Sequence, residues 1–164
     1  GGSQFCFGRG EILEKYNFKS KLGLILLKDP RLSVSTADIY KKYSTNFCKD
    51  NLLEINYINQ RREFLRNNGI KVFNSINKFL IKNDLQKIVE DENQSVRRCL
   101  CILSKFENSL SYSMSGSGPS CFALFDSLKE ADSCLKKNYD YIKDSGFDSW
   151  VCKFDEGGVK FIDE

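Results

Sequence analysis

Histidine is absent from this 164-residue chain, and methionine and tryptophan occur once each. Without histidine, neither a Ser-His-Asp triad nor a Cys-His pair can form within the chain, and Cys/His zinc sites lose their nitrogen ligands. The seven cysteines include no C-x-x-C pair, and Cys99 and Cys101 stand too close for a zinc clip. Their odd number argues against a closed disulfide framework, so they read as buried, reduced thiols of a cytosolic-type compartment. No apolar run approaches the roughly 18 residues a membrane helix needs. The opening GGSQFCFGRGE is polar and glycine-rich, without the apolar segment of a signal peptide. The net charge is only +3 and spread along the sequence, which argues against a nucleic-acid partner. Repeats, low-complexity tracts and obvious linkers are missing as well.

What is present suits one globular domain with a real core: 41% hydrophobic and 29% charged residues. Around Phe5 and Phe7 the apolar positions alternate with period two and resume at Ile12, which predicts a strand bent or bulged at Gly8-Arg9-Gly10. KLGLILLK (21–28) is nearly continuously apolar and predicts a central strand covered on both faces, ended by Asp29-Pro30. Ser35 with Asp38 three residues on predicts a capped short helix from about Thr36 to Tyr43. Residues 49–68 read as loop with a short helix before Gly69, and Val72, Phe73, Ile76, Phe79 and Leu80 have helical spacing. Asn83 or Asp84 can cap a short helix through Ile88 and Val89. Val96, Cys99, Leu100, Leu103 and Phe106 mark another. LSYSM and CFALF read as strands. Ser127 to Glu130 is a capping box opening a helix whose one face carries Leu128, Ala131, Leu135, Tyr139 and Ile142, stopped by Gly146. Trp150, Cys152 and Phe154 alternate as a last strand. Strand pairs separated by helices predict an α+β fold, an antiparallel sheet with helices on one face, ferredoxin-like in kind.

MSGSGPSCFALF (114–125) carries the strongest chemical signal. Ser115-Gly116-Ser117-Gly118 can turn several backbone N–H groups toward one point, and the serines add hydroxyl donors. Neither the P-loop pattern nor the dinucleotide fingerprint is present, since Cys121 stands at the third glycine position. On residues alone this is either a strand–turn–strand or a phosphate cradle. Arg9 between glycines is a weaker anion candidate. Thr36 and Tyr40 share one helix face, where a hydroxyl and a ring can bind a polar group and stack a base, or simply cap and pack. Asp91-Glu92 and Asp155-Glu156 lie in polar, turn-like stretches and read as solvated.

MSGSGPSCFALF resembles the third motif of the GHMP kinases, S-G-S-G-x-S followed by an apolar strand. Within that superfamily GGSQFCFGRGE, LILLKDPRLSVSTADIYKKY and NDLQKIV are similar, in order and spacing, to successive blocks of the 4-diphosphocytidyl-2-C-methyl-D-erythritol kinases, in a cyanobacterial or plastid-like form. The resemblance runs over nearly the whole chain. It implies an ATP-dependent kinase of non-mevalonate isoprenoid (terpenoid) biosynthesis, a transferase that phosphorylates the 2-hydroxyl of that cytidine diphosphate alcohol. Tyr40 matches the aromatic that stacks on cytosine. Thr36 and Ala37 match residues lining the same pocket, although a proline often stands where Ala37 is. Ser115, Gly116, Ser117, Gly118 and Ser120 match the loop closing over phosphates and substrate. The family's main ATP loop, P-x-x-x-G-L-G-G-G-S-S-[DN]-A, and its catalytic lysine and aspartate do not occur here.

The resemblance therefore implies a C-terminal half: residues 1–20 leave an N-terminal kinase domain, and 21–164 form the substrate-binding domain. It implies ATP and magnesium as co-substrates of the whole enzyme, neither bound tightly by this half, no metal ligand or catalytic residue here, and no activity alone. It also implies a small-molecule substrate, no nucleic-acid or membrane partner, and a cytoplasmic or plastid location. A free-standing ferredoxin-like regulatory domain is the alternative; it leaves GRGE and VSTADIY unexplained. An RNA-binding sheet displaying Phe122 and Phe125 is a third reading.

Overall fold

The computed structural model describes residues 4–7, 10–15, 21–47, 63 and 81–155. The helix expected over Val72 to Leu80, the loop before it, Arg9 and Glu156 lie outside these residues.

The opening segment is two strands, not one bulged strand. β1 (Gln4–Phe7) and β2 (Ile12–Lys15) pair antiparallel, with Phe7 opposite Ile12. Gly10, at φ 102°, donates its N–H to the Phe7 carbonyl at 3.1 Å and closes the turn. Glycine takes that φ without steric cost, so the chain reverses instead of bulging.

The main sheet contains β3 (Gly23–Lys28), β4 (Ser111–Met114), β5 (Cys121–Phe125) and β6 (Asp148–Lys153). Its order is β4-β5-β3-β6, and every neighbouring pair is antiparallel. Each of the two helical connections skips one strand, which is the ferredoxin-like arrangement anticipated from the element order. Among the described residues four helices accompany it: α1 (Thr36–Phe47), α2 (Gln86–Glu92), α3 (Gln94–Leu103) and α4 (Leu128–Asp144).

Register explains why KLGLILLK is nearly continuously apolar. Ile25 and Leu27 point to the helix face and are fully buried with Cys121, Ala123 and Phe125. Leu24 and Leu26 alternate to the other face and are only half-buried, so the strand is fully covered on one face and not, as expected, on both. Val89, Val96, Leu103, Ala131 and Ile142 close the core from the helices. Each fully buried Ile, Leu or Phe here stabilises by about 1.5–3 kcal/mol. Phe125 is fully buried and Phe122 half-buried, so the sheet does not display the aromatic pair that RNA stacking requires.

Two of the expected caps form: the Ser35 hydroxyl accepts from Asp38 N at 3.3 Å and the Ser127 hydroxyl from Glu130 N at 3.2 Å. The cap expected at Asn83 or Asp84 does not, since Leu85 stands at the N-cap of α2 and no side chain caps it, whereas Asn93 caps α3 unanticipated, its Oδ1 accepting from Val96 N at 3.1 Å. α1 runs to Phe47, four residues past the expected end. On α4, Ala131 and Ile142 are buried, whereas Leu128 and Tyr139, at the margin of the apolar stripe, are exposed. Gly146, at φ 83°, ends the helix in a Schellman motif, with Phe147 N donating to Ile142 O and Gly146 N to Lys143 O. The thiols divide: Cys99 and Cys121 are buried, but Cys6 and Cys101 are exposed, contrary to a uniformly buried set. Contact with Cys121, together with burial, pushes the Cys99 thiol well above its ordinary range and keeps it protonated.

Candidate functional site

Antiparallel register gathers the end of β3, the end of β4 and the start of β5 at one end of the sheet, with Leu27 opposite Cys121 and Cys121 opposite Met114. The glycine-serine loop connects β4 to β5 there, and the chain leaving β3 enters α1 from the same end.

The loop is both a strand–turn–strand and a set of unused donors. Ser115 N donates to Ser120 O at 2.8 Å, extending the ladder by one pair, and Gly118 N donates to Ser115 O at 2.9 Å. Gly116 and Gly118 take φ values of 55° and 80°, in the left-handed region that glycine tolerates. These bonds leave the amides of Gly116 and Ser117 and the hydroxyls of Ser115 and Ser120 without partners among the described residues. Backbone amides and hydroxyls in such a turn are the donor set that suits a phosphate oxygen.

Two of the predicted site segments meet. The Thr36 hydroxyl, at the first position of α1, is 2.8 Å from the Ser117 hydroxyl. Ala37 and Tyr40 are exposed on the same helix, one turn or less away, and Tyr40 keeps 58% of its surface. Thr36 and Ser117 are thus bonded to each other, which fixes α1 against the loop.

Side chains outside the predicted set hold this arrangement. Asn83 donates through Nδ2 to Met114 O and Gly116 O, both at 2.8 Å, while its Oδ1 accepts from Leu85 N at 3.0 Å. Gln86 accepts through Oε1 from Met114 N and from the Ser113 hydroxyl, both at 2.9 Å, satisfying the outer edge of β4. The sequence offered Asn83 only as a helix cap. An Asn-Asp pair before a seven-residue helix is a local signal, and nothing local points to a loop more than 30 residues on.

The approach to α1 is charged and rigidly tied. Asp29 is buried, and the Arg31 side chain holds its carboxyl well below the usual carboxylate range, aided by the Ser95 hydroxyl at 2.8 Å. Arg31 meets it through Nε at 3.0 Å and through a terminal nitrogen at 3.1 Å. This joins the end of β3 to the first turn of α3, while Lys42 pairs with Glu92 between α1 and α2.

A cleft of about 280 Å³ lies at the opposite end of the sheet, between the α3–β4 connection and α4, lined by Lys105, Glu107, Cys134 and Lys137 among others. Glu107 and Lys137 pair there at 2.7 Å, and burial pushes the Cys134 thiol up. It contains none of the predicted site residues. Among the described residues no helix is long and apolar enough to cross a membrane, and no group of three or more carboxylates, thiols or imidazoles is placed to hold a metal ion.

Residues 61–143 match the family model described as GHMP kinases C terminal. Curated proteins named 4-diphosphocytidyl-2-C-methyl-D-erythritol kinase are similar to this chain over nearly all of it. The one from Prochlorococcus marinus strain MIT 9515 is 52% identical over 99% of the chain, and that from strain MIT 9301 is 54% identical over 99%. In both cases only 52% of the relative is covered, so the chain spans about half the length of the curated relatives it matches. The crystal structure of homoserine kinase from Cytophaga hutchinsonii shares the fold, with a TM-score of 0.59 at 18% identity over 90% of this chain and 46% of that one. The loop, the ferredoxin-like sheet and the matching family model lead to one assignment: the chain belongs to the GHMP kinases, in the region of their C-terminal domain.

Proposed function

We propose that this chain is the C-terminal half of an ATP-dependent 4-diphosphocytidyl-2-C-methyl-D-erythritol kinase, which phosphorylates the 2-hydroxyl of its substrate in isoprenoid biosynthesis. The observation that carries the proposal is the 2.8 Å contact between Thr36 and Ser117. It sets a helix bearing an exposed aromatic beside a loop bearing unused phosphate donors. A cytidine diphosphate alcohol has a flat base at one end and a diphosphate linking it to the alcohol at the other, so a ring beside phosphate donors suits it. The names of the relatives point the same way.

In this reading Tyr40 stacks on the cytosine ring, and Thr36 and Ala37 shape the pocket beside it. Gly116 and Ser117 offer amides to phosphate oxygens, with the Ser115 and Ser120 hydroxyls beside them. ATP supplies the transferred phosphoryl group. The loop fits phosphate, and in this reading magnesium, the main nucleotide loop and proton removal fall to a preceding domain. Phosphoryl transfer needs all these parts together. The isolated chain therefore produces no ADP above background with ATP, magnesium and substrate. A cytoplasmic or plastid site of action accords with this pathway.

Cytidine diphosphate binding tests the pocket. Tyr40→Ala weakens it by about 5- to 150-fold, from the roughly 1–3 kcal/mol of a stacked base, while the melting temperature barely moves because Tyr40 is exposed. Unchanged affinity by calorimetry on the intact polypeptide overturns the pocket assignment.

A further inference from the structure

We infer that Asn83 is a positioning residue, the one that sets the conformation in which the glycine-serine loop presents its amides. One carboxamide does three things. Its nitrogen spends both hydrogens on the loop, one on Met114 O where β4 ends and one on Gly116 O inside the turn, and its oxygen holds Leu85 N. The peptide joining Gly116 to Ser117 is therefore fixed from its carbonyl side. Its N–H, that of Ser117, points away from Asn83 as the trans geometry of a peptide requires. Gln86 grips the same strand end through Met114 N, so both backbone groups of Met114 are held from α2 and the turn before it. From the other side Thr36 holds the Ser117 hydroxyl. Two brackets on successive residues leave the loop one conformation, with the Gly116 and Ser117 amides unpaired. For its role in transfer the inference rests on the kinase reading above; for the loop's conformation it does not.

The test uses the full-length enzyme of that reading, this chain joined to the preceding kinase domain, with Asn83→Asp and Asn83→Ala. Aspartate keeps the shape and the acceptor for Leu85 N, but turns an oxygen toward two carbonyls. If Asn83 acts only as a helix-start residue, Asn83→Asp behaves as wild type and Asn83→Ala does not. If it positions the loop, Asn83→Asp is at least as damaging as Asn83→Ala. Two measurements are expected to agree. Amide exchange at Ser115 and Gly118, bonded within the loop, speeds up by about tenfold or more through local opening, while Ile25 and Leu27 amides keep their protection. Turnover per folded enzyme falls by about 100-fold, the scale of a small misplacement of a positioned group, and the KM for the cytidine substrate rises with it because its phosphates face the displaced amides. Asn138→Asp, at the far end of the sheet, controls for the added charge. Unchanged loop exchange, or a wild-type-like Asn83→Asp, overturns the inference, as does faster exchange with unaltered turnover. A wild-type polypeptide without kinase activity defeats the functional reading instead, and the exchange comparison then decides the role of Asn83 alone.

Discussion

Gly116 and Gly118 both adopt positive φ, yet they differ in what surrounds them, and that difference yields a prediction with a magnitude. A Cβ on Gly116 meets nothing within 4 Å, whereas a Cβ on Gly118 comes 2.7 Å from Met114 Sδ, 3.5 Å from Met114 Cγ and 3.7 Å from Val89 Cγ1. Met114 is 1% exposed and Val89 2%, so the thioether has little room to retreat. Alanine in the left-handed region costs about 1–2 kcal/mol, less the roughly 0.4–1 kcal/mol gained by stiffening the unfolded chain. Gly116→Ala should therefore lose about 1.6 kcal/mol at most. Gly118→Ala adds the overpacking of Met114, about 1–3 kcal/mol. At roughly 2–4 °C per kcal/mol for a chain of this size, the two variants should melt about 2–12 °C apart, Gly118→Ala lower.

Thermal unfolding followed by circular dichroism reads the gap directly. A double-mutant cycle makes the cause specific. In a Met114→Ala background the collision partner is gone, so the penalty for Gly118→Ala should shrink to that of Gly116→Ala. Equal melting temperatures for the two single variants, or a Gly118→Ala penalty that ignores residue 114, would refute the reasoning.

Gly23→Ala should be more damaging than either loop change, because its Cβ would lie 2.6 Å from both Leu128 Cα and Ser127 O, backbone atoms that cannot swing aside. The start of α4 must then lift from β3, at a cost above about 3 kcal/mol; a denaturation midpoint close to wild type counts against that packing. Asp29→Asn tests linkage. The Asp29 carboxyl is depressed in the fold by Arg31 and Ser95. Its stabilisation is therefore present above the unfolded pKa of about 3.9 and fades as pH falls below it. Wild type should exceed Asp29→Asn in melting temperature at pH 7, with the gap narrowing below about pH 4. A gap that is constant with pH removes the charge from the explanation.

Local features were legible because their causes are local. Ser35 and Ser127 cap their helices as their side chains and spacing require, and Gly146 ends α4 as a residue at φ 83° can. The β3 run is apolar on both faces, but only the Ile25 and Leu27 face is fully covered, while Leu24 and Leu26 stay half-buried. The family motif placed the loop and α1, and the hydroxyl contact between Thr36 and Ser117 joins two of the segments it singled out. The opening segment misled because period-two alternation is the same on both sides of a turn. Only the φ of Gly10 and its bond to Phe7 distinguish a hairpin from a bulge.

Asn83 escaped for a different reason, one that bears on how such loops are built. A short glycine-rich turn has little side-chain area to pack, so burial cannot hold its shape. Directional bonds from elsewhere must do so, and carboxamides suit the task because each offers both donors and an acceptor. Asn83 and Gln86 divide the backbone groups of Met114 between them, one taking the C=O and the other the N–H. Their partners lie 31 and 28 residues downstream, a separation that no local pattern encodes. Ferredoxin-like topology supplies the proximity, since β4 ends at the same edge where α2 begins. A loop that must keep free amides for a ligand cannot also use those amides to fix itself, so its fixing bonds fall on its carbonyls. Asn83 Nδ2, facing Met114 O and Gly116 O, occupies that position.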